Sequence, residues 1–373
     1  MKKNVLITGG AGFVGSHLAD GLLCAGHSVR ILDELTPQVH PGGRPAYLSK
    51  DVELIVGDVR DPNRLREVLA GIDVIFHFAA AVGVGQSMYE IGRYVSVNTQ
   101  GTAELLQALL DRKASLEKLV VASSMSIYGE GRYECTQCGQ PATPQVRSVQ
   151  QLKAAQWEMY CDVCGGKLKP VPTGETKPSE INSMYALSKR DQEDLCLIYG
   201  RTYDLPVTAL RFFNIYGPRQ ALSNPYTGVA AVFASRMLNG KPPLIFEDGE
   251  QMRDFVHVSD IVRANMLAME RPESNGHVVN IGCGKPITIR QVAEKLGKAL
   301  GMEIIPVVTN MYRAGDIRHC FADISKAQQL LRFEPAMEHD SGFRELAEWL
   351  RGQHAEDKAE TMLKELSTYG LTA

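Results

Sequence analysis

No histidine falls between residues 78 and 256 of this 373-residue chain. Metal chemistry with imidazole ligands is therefore excluded from its middle third. No apolar run reaches the ~20 residues that a bilayer demands. The apolar segment after Lys2 and Lys3 is interrupted by GGAGFVG and His17, unlike a secretory leader. Nor is there an excess of one charge: 40 Lys and Arg against 43 Asp and Glu leave a net charge of −3, which offers nothing to attract nucleic acid. Internal repeats and low-complexity tracts are missing as well. With 44% hydrophobic and 22% charged residues, the composition is that of an ordinary soluble globular protein, long enough for a large core and two lobes. Neither a nucleic-acid partner nor a membrane is expected.

Eight cysteines in a chain of this length do not form a disulfide framework, so the expected compartment is reducing and cytoplasmic. Cys24, Cys196, Cys283 and Cys320 have no framework spacing and read as buried thiols. The other four form two C-x-x-C-G pairs, Cys135/Cys138 and Cys161/Cys164, with 22 residues between them. Paired thiolates with a glycine to relieve each tight turn supply four ligands for tetrahedral Zn²⁺. A catalytic zinc keeps an open position and commonly uses His or carboxylate ligands, so a closed four-cysteine set reads as structural. The loop between the pairs holds Trp157 and Tyr160 and has room for a short helix.

Around this insertion the chain alternates strand and helix. The apolar run NVLIT at 4–8 is followed by Gly9, Gly10, Gly12 and Gly15, then by a helical pattern through Leu18, Leu22 and Leu23. That order suits a pyrophosphate, because glycines let backbone N–H groups approach it at the positive end of a helix. The next strand, SVRILD, ends at Asp33, about twenty residues beyond the glycines, where a carboxylate accepts both ribose hydroxyls and repels a 2′-phosphate. NAD is favoured over NADP. Asp58, after a third strand, is placed to reach the adenine edge. Further strands are expected at VELIVG, DVIFHFAA and KLVVASS, with helices near 62–70, 87–111 and 183–203. Together they predict an α/β fold with a Rossmann-type doubly wound parallel sheet. The pattern loosens after about residue 215, so a smaller C-terminal lobe is expected over 216–340, with 253–282 returning to the NAD-binding unit of 1–215. The zinc ribbon occupies 131–174, and 341–373 forms a helical tail.

GGAGFVG, Asp33, GDVRD, HFAA, VNTQGT, SSMSIYG, YALSK, RFFNIYGPR, RDFVHVSD and RAGD, in this order, resemble the extended short-chain dehydrogenase/reductase family, and within it the nucleotide-sugar epimerases. The resemblance runs from residue 4 to about 330, apart from the insertion. It implies a catalytic set of Ser124, Tyr185 and Lys189. Tyr185 is the base that takes a sugar hydroxyl proton while a hydride leaves the same carbon, and a nearby ammonium from Lys189 favours the phenolate. Lys189 also holds the nicotinamide ribose, and Ser124 orients the hydroxyl. The same resemblance assigns the cofactor to Gly9, Gly12, Phe13, Val14, Gly15, Asp33, Asp58, Val59, Phe78, Ala79, Ala80 and Asn98. It assigns the substrate to Ser124, Ser126, Asn214, Arg253, Phe255, Arg313 and Asp316, with the arginines on a diphosphate and Asp316 on a ribose. Cys320 falls where such enzymes tune the size of the sugar pocket. A homodimer through the helices near 87–111 and 183–203 is implied too.

The reaction is narrowed by two neighbours of Ser124. Family dehydratases carry an acidic pair at the positions of Met125 and Ser126, uronate decarboxylases carry Glu at Ser126, and members that epimerise beside a ketone carry Cys there. None of these groups is present. The small hydroxyl of Ser126 is that of the 4-epimerases, so the expectation is C4 epimerisation of a UDP- or dTDP-hexose, either of the UDP-glucose/galactose type or of the dTDP-L-rhamnose type. Another oxidoreductase or dehydratase of the family is the alternative. A ribbon adaptor on an inactive scaffold is disfavoured, because residues 131–170 carry only five Lys/Arg against three Asp/Glu. The ribbon follows the Ser124 strand end, so it is expected either to cover the sugar or to extend the mouth of the site.

Overall fold

The computed structural model describes residues 1–112, 116–303, 305–313 and 315–372. Seven parallel strands form the central sheet: β1 (Asn4–Thr8), β2 (Ser28–Asp33), β3 (Glu53–Val56), β4 (Val74–His77), β5 (Lys118–Ser124), β6 (Val207–Phe212) and β7 (His277–Ile281). Their order across the sheet is β7-β6-β5-β4-β1-β2-β3. Strands covered on both faces need apolar residues at successive positions, and all seven residues of β5 are buried. One face packs Leu18, Leu22, Val256, Ile261 and Phe333 against the sheet, and the other packs Leu65, Leu105, Leu109, Cys196 and Leu197. The strand order reverses between β1 and β4, and a crevice opens above their C-terminal ends, where such sheets bind ligands.

The second lobe builds its own core from Phe233, Met237, Phe255, Val292, Leu296, Phe343 and Leu346. Strand Met252–His257 joins it to the crevice, pairing with Asn214–Tyr216, Pro286–Thr288 and His319–Cys320. Helix Ile289–Leu300 starts with a capping box, in which the Thr288 hydroxyl and Gln291 side chain satisfy each other's backbone N–H groups. Among the described residues no helix is long and apolar enough to cross a membrane.

One sequence expectation changes. The single helix expected at 87–111 is broken into turns at Val84–Ser87 and Ile91–Tyr94, a π-helical stretch at Val95–Gln100, and a helix from Gly101 to Arg112. The bulge arises at Asn98, whose side chain is turned inward to hydrogen-bond Ala81 and Ser188 while its carbonyl accepts from Thr102 Oγ1. The helical tail expected over 341–373 contains helix His339–Leu350, which begins just before it, and helix Ala359–Thr368.

The insertion is a three-stranded antiparallel sheet, with Arg132–Cys135 between Pro141–Ala142 and Leu168–Val171. A short helix, Val149–Lys153, lies between the cysteine pairs and is capped by the Ser148 hydroxyl. The glycines after each pair, Gly139 and Gly165, take positive φ values of 70° and 71°, which the tight turns require.

Candidate active site and cysteine cluster

A cavity of about 470 Å³ follows the crevice at the reversal point. Gly9, with φ of 70°, turns the chain out of β1, and a Cβ there would fall 2.8 Å from the Ala79 nitrogen. At Gly15 a Cβ would fall 2.6 Å from Gly10 Cα. Helix Phe13–Cys24 begins at Gly12 with no side-chain cap, so its first N–H groups face the cavity free. These are the features a pyrophosphate needs. Asp33 closes one end: its carboxylate accepts from Ala11 N at 3.0 Å and Leu35 N at 2.9 Å and lines the cavity with Phe13, Val14, Asp58, Val59, Phe78, Ala79 and Ala80.

Asp58 lines the cavity as expected of a cofactor-facing residue while its carboxylate is also forked onto Arg60. That pairing outweighs burial and holds Asp58 below the usual carboxylate range. Asn98 lines neither cavity. It is fully buried, and its amide bonds Ser188 and Ala81, a residue that does line the first cavity.

Ser124 ends β5, and Tyr185 and Lys189 stand one turn apart on helix Met184–Tyr203, whose N-cap is Ser183. All three meet in the first cavity. The Ser124 hydroxyl is hydrogen-bonded to Tyr185, and it also accepts from Ser126 Oγ at 2.9 Å and Ser126 N at 3.2 Å. Lys189 Nζ donates to Gln192 Oε1 at 2.7 Å. Burial raises the Tyr185 phenol, the Ser124 bond opposing it, and lowers Lys189 to about 8. The expected acidification of Tyr185 by Lys189 is thus not built into the pocket itself, because the ammonium is turned to Gln192.

A second cavity of about 310 Å³ adjoins the first, sharing Met125, Ser126, Asn214, Tyr226, Gly228 and Val229. Arg253, Arg313 and Asp316 line it, whereas Phe255 faces the first cavity together with Asn214. Arg313 donates to Asp316 at 2.9 Å, stacks 4.8 Å over the Phe246 ring, and Arg253 lies 3.6 Å from Asp316. Burial opposes ionisation of Asp316, but Arg313, Arg253 and Arg147 outweigh it and hold the carboxyl below its usual range. Four buried polar atoms on this wall lack a partner: Asn182 Nδ2, Asn214 Oδ1, Gln251 Oε1 and Arg313 Nε. These atoms are open to bonding by a polar ligand or by water. Asn182, Gln251 and the tail residues Met362, Leu366 and Leu371 were not read from sequence. The orphan amides follow no motif, and the tail reaches the cavity only through tertiary packing.

No residue of 131–174 lines either cavity, so the insertion neither covers the sugar position nor extends the mouth. Cys320 is likewise buried away from both, beside Tyr128, Phe213 and Met125, which corrects its reading as a pocket-tuning residue. The four cysteine sulfurs gather within 4.8 Å of one another, with Cys135 to Cys164 at 3.4 Å and Cys138 to Cys161 at 3.8 Å. Tetrahedral Zn–S bonds of about 2.3 Å place sulfurs roughly 3.8 Å apart, so the cluster fits that ion. The backbone N–H groups of Cys138 and Gln137 donate to Cys135 Sγ and lower its thiol to about 6.

Residues 5–150 and 158–282 match the NAD dependent epimerase/dehydratase family. The dTDP-L-rhamnose 4-epimerase of Burkholderia thailandensis is 32% identical over 93% of this chain and 95% of its own. The UDP-N-acetyl-alpha-D-glucosaminuronate decarboxylase of Bacillus cytotoxicus is 33% identical over 94% and 98%. Among solved structures, the UDP-glucose 4-epimerase of Thermotoga maritima with UDP-glucose superposes with a TM-score of 0.76 at 30% identity, covering 93% of this chain and 98% of that one.

Proposed function

Because this chain belongs to the NAD dependent epimerase/dehydratase family, we propose that it is an NAD-dependent nucleotide-sugar 4-epimerase acting on a neutral UDP- or dTDP-hexose. The observation that supports this is that the cavity lined by Ser124, Tyr185 and Lys189 and the cavity lined by Arg253 and Arg313 share Ser126 and Asn214. The glycine turn and Asp33 would hold NAD, which would supply a reversible hydride acceptor. Tyr185 takes the C4 hydroxyl proton and returns it, while Ser124 holds the oxygen in line. Asn214, Arg253 and Arg313 hold the diphosphate and Asp316 a ribose, so the oxidised sugar turns over without leaving. Asn182 and Gln251 add two neutral hydrogen-bonding groups.

The decarboxylase relative frames the competing reading. Apart from Arg253, Arg313 and Asp316, which are read here for the nucleotide, the lining of the second cavity bears no charge. A uronate carboxylate would find no cation there, and no acid stands at Met125 or Ser126 for dehydration. A neutral hexose suits that wall, including one with a 6-methyl group.

Zn²⁺ is assigned to Cys135, Cys138, Cys161 and Cys164 as a structural ion. A homodimer is supported by exposed apolar side chains on the helices of the expected interface: Ile91, Val95 and Leu110 on one, and Leu187, Ile198 and Tyr203 on the other. Work on precursors of cell-surface polysaccharides in the cytoplasm fits this substrate class.

Incubating the purified protein with UDP-, dTDP- and GDP-sugars, and following ring protons by NMR, tests the proposal. A C4 epimer formed without net NAD(H) consumption is expected. A 4-keto-6-deoxy product, or stoichiometric use of NAD(H), would overturn it.

A further inference from the structure

The insertion touches neither cavity, yet it grips the loop that supplies one wall of the second. Glu130, at the insertion's start, accepts from the backbone N–H groups of Arg318 at 2.5 Å and His319 at 3.2 Å. Glu158, between the cysteine pairs, accepts from the Arg318 guanidinium at 2.7 Å and lies 3.8 Å from His319 Nε2. Arg147 donates to the Asp316 carbonyl at 3.1 Å and to both oxygens of Glu247 at 2.8 Å, and Glu247 also takes Arg318 at 3.1 Å. Leu152 and Trp157 pack on Tyr312. The backbone joins in: Gly131 N donates to the His319 carbonyl at 2.8 Å, and a Cβ at Gly131 would fall 2.7 Å from that oxygen.

On its other side the same loop holds the ligand-facing cation. The carbonyls of Ile317 and Arg318 accept from the Arg253 guanidinium at 2.6 and 2.9 Å. Arg253 therefore takes its orientation from a loop whose N–H groups, side chain and neighbouring carbonyl are fixed by Glu130, Glu158 and Arg147. Arg147 also acts on Asp316 through space, helping to keep that carboxyl ionised. Arg147 and Glu247 are almost wholly buried, and a forked guanidinium–carboxylate pair sealed from water allows little play.

We propose that Arg147 and Glu158 are positioning residues for the nucleotide diphosphate, the zinc-bearing insertion being a brace that presets Arg253, Arg313 and Asp316. The inference rests on the nucleotide-sugar reading above. The brace works from behind the loop, which explains how an insertion so close to Ser124 leaves the sugar position open. Preorganised cations lose less freedom when a diphosphate arrives, so the brace sets affinity rather than turnover.

The test is calorimetric titration of free UDP and dTDP into the full, NAD-loaded, zinc-loaded chain, alongside steady-state kinetics. Three variants are compared: Glu158→Gln, Arg147→Lys, and the pair Arg147→Met with Glu247→Met, which leaves no lone buried charge. Glu158 is partly solvent-facing, so its variant keeps the test open should the buried pair resist replacement. Nucleotide Kd and substrate KM are expected to rise roughly tenfold, with kcat and NAD affinity unchanged and Arg147→Lys intermediate. Variants that bind NAD and bind the nucleotide as tightly as the parent chain would overturn the brace. A parent chain that binds neither nucleotide would instead overturn the nucleotide-sugar reading itself.

Discussion

Lys189 is pinned by Gln192, three residues along the same helix, and Gln192 Nε2 donates onward to Thr102 Oγ1 at 2.9 Å. The ammonium thus sits in a dry nest, and burial lowers it to about 8, with Cys196 and Glu193 opposing. On the proposed reading Lys189 donates to the nicotinamide ribose, so its deprotonation removes that donor and kcat/KM should fall as pH rises through about 8. Gln192→Glu puts a carboxylate against the ammonium and should move that limb upward; a pH–rate profile that stays in place would remove the assignment. The stability sign is opposite to that of an ion-paired lysine. The folded pKa lies below the ordinary 10.5, so the unfolded chain binds more protons between about pH 8 and 10.5. The group's cost is therefore full below pH 8 and fades as pH climbs through that window.

Tyr185→Phe keeps the edge contact with Tyr94, 6.4 Å between ring centres, and removes only the hydroxyl. Loss of the general base should lower kcat by about 10²–10⁴-fold with NAD still bound. Ser124→Ala should cost less, because Ser126 Oγ, 2.9 Å from Ser124 Oγ, remains nearby. Activity within a few-fold of the parent in Tyr185→Phe would exclude Tyr185 as the base.

The glycine turn, the alternation of strand and helix and the two C-x-x-C-G pairs were legible because each is local. A turn needs glycine at a given φ, a strand buried on both faces needs an unbroken apolar run, and a zinc knuckle needs two nearby thiols. What sequence missed is set by side chains meeting across long separations. The bond that Asn98 makes to Ser188, 90 residues away, is one such meeting. Asp58 keeps its place on the cavity but is also forked onto Arg60, two residues on, a pairing that spacing does not reveal. The brace at Arg147 and Glu158 joins positions more than 150 residues apart, and no motif announces it.

Cys138→Ser should remove zinc, measured by metal analysis as loss of one ion per chain. Ligand binding by four thiols is folding free energy for a sheet of three short strands, so amides in 131–172 should exchange faster while β5 and β6 stay protected. If the brace acts as described, nucleotide affinity falls in the same variant and NAD affinity does not. Retention of zinc with full exchange protection would remove the cysteine assignment.

The C-terminal helix makes the final case, because it separates the two cavities experimentally. Met362, Leu366 and Leu371 line the arginine-bearing cavity, whereas among the described residues none of the tail lines the other. Glu365 Oε2 accepts from the hydroxyls of Tyr89 at 2.9 Å and Tyr226 at 2.6 Å, and the Tyr369 ring stacks on Tyr89 with centres 4.7 Å apart. Tyr226 lines both cavities, so the helix steadies their shared wall as well as covering one of them. Leu366 is 1% exposed and would meet a Cβ at Gly85 at 3.1 Å, so Leu366→Ala opens a hole and should weaken helix docking by about 2–3 kcal/mol. Removing residues 359–372 should go further, raising the KM for the sugar nucleotide about tenfold or more while the Kd for NAD stays constant. Equal losses at both ligands would mean that the tail supports the whole fold rather than one cavity.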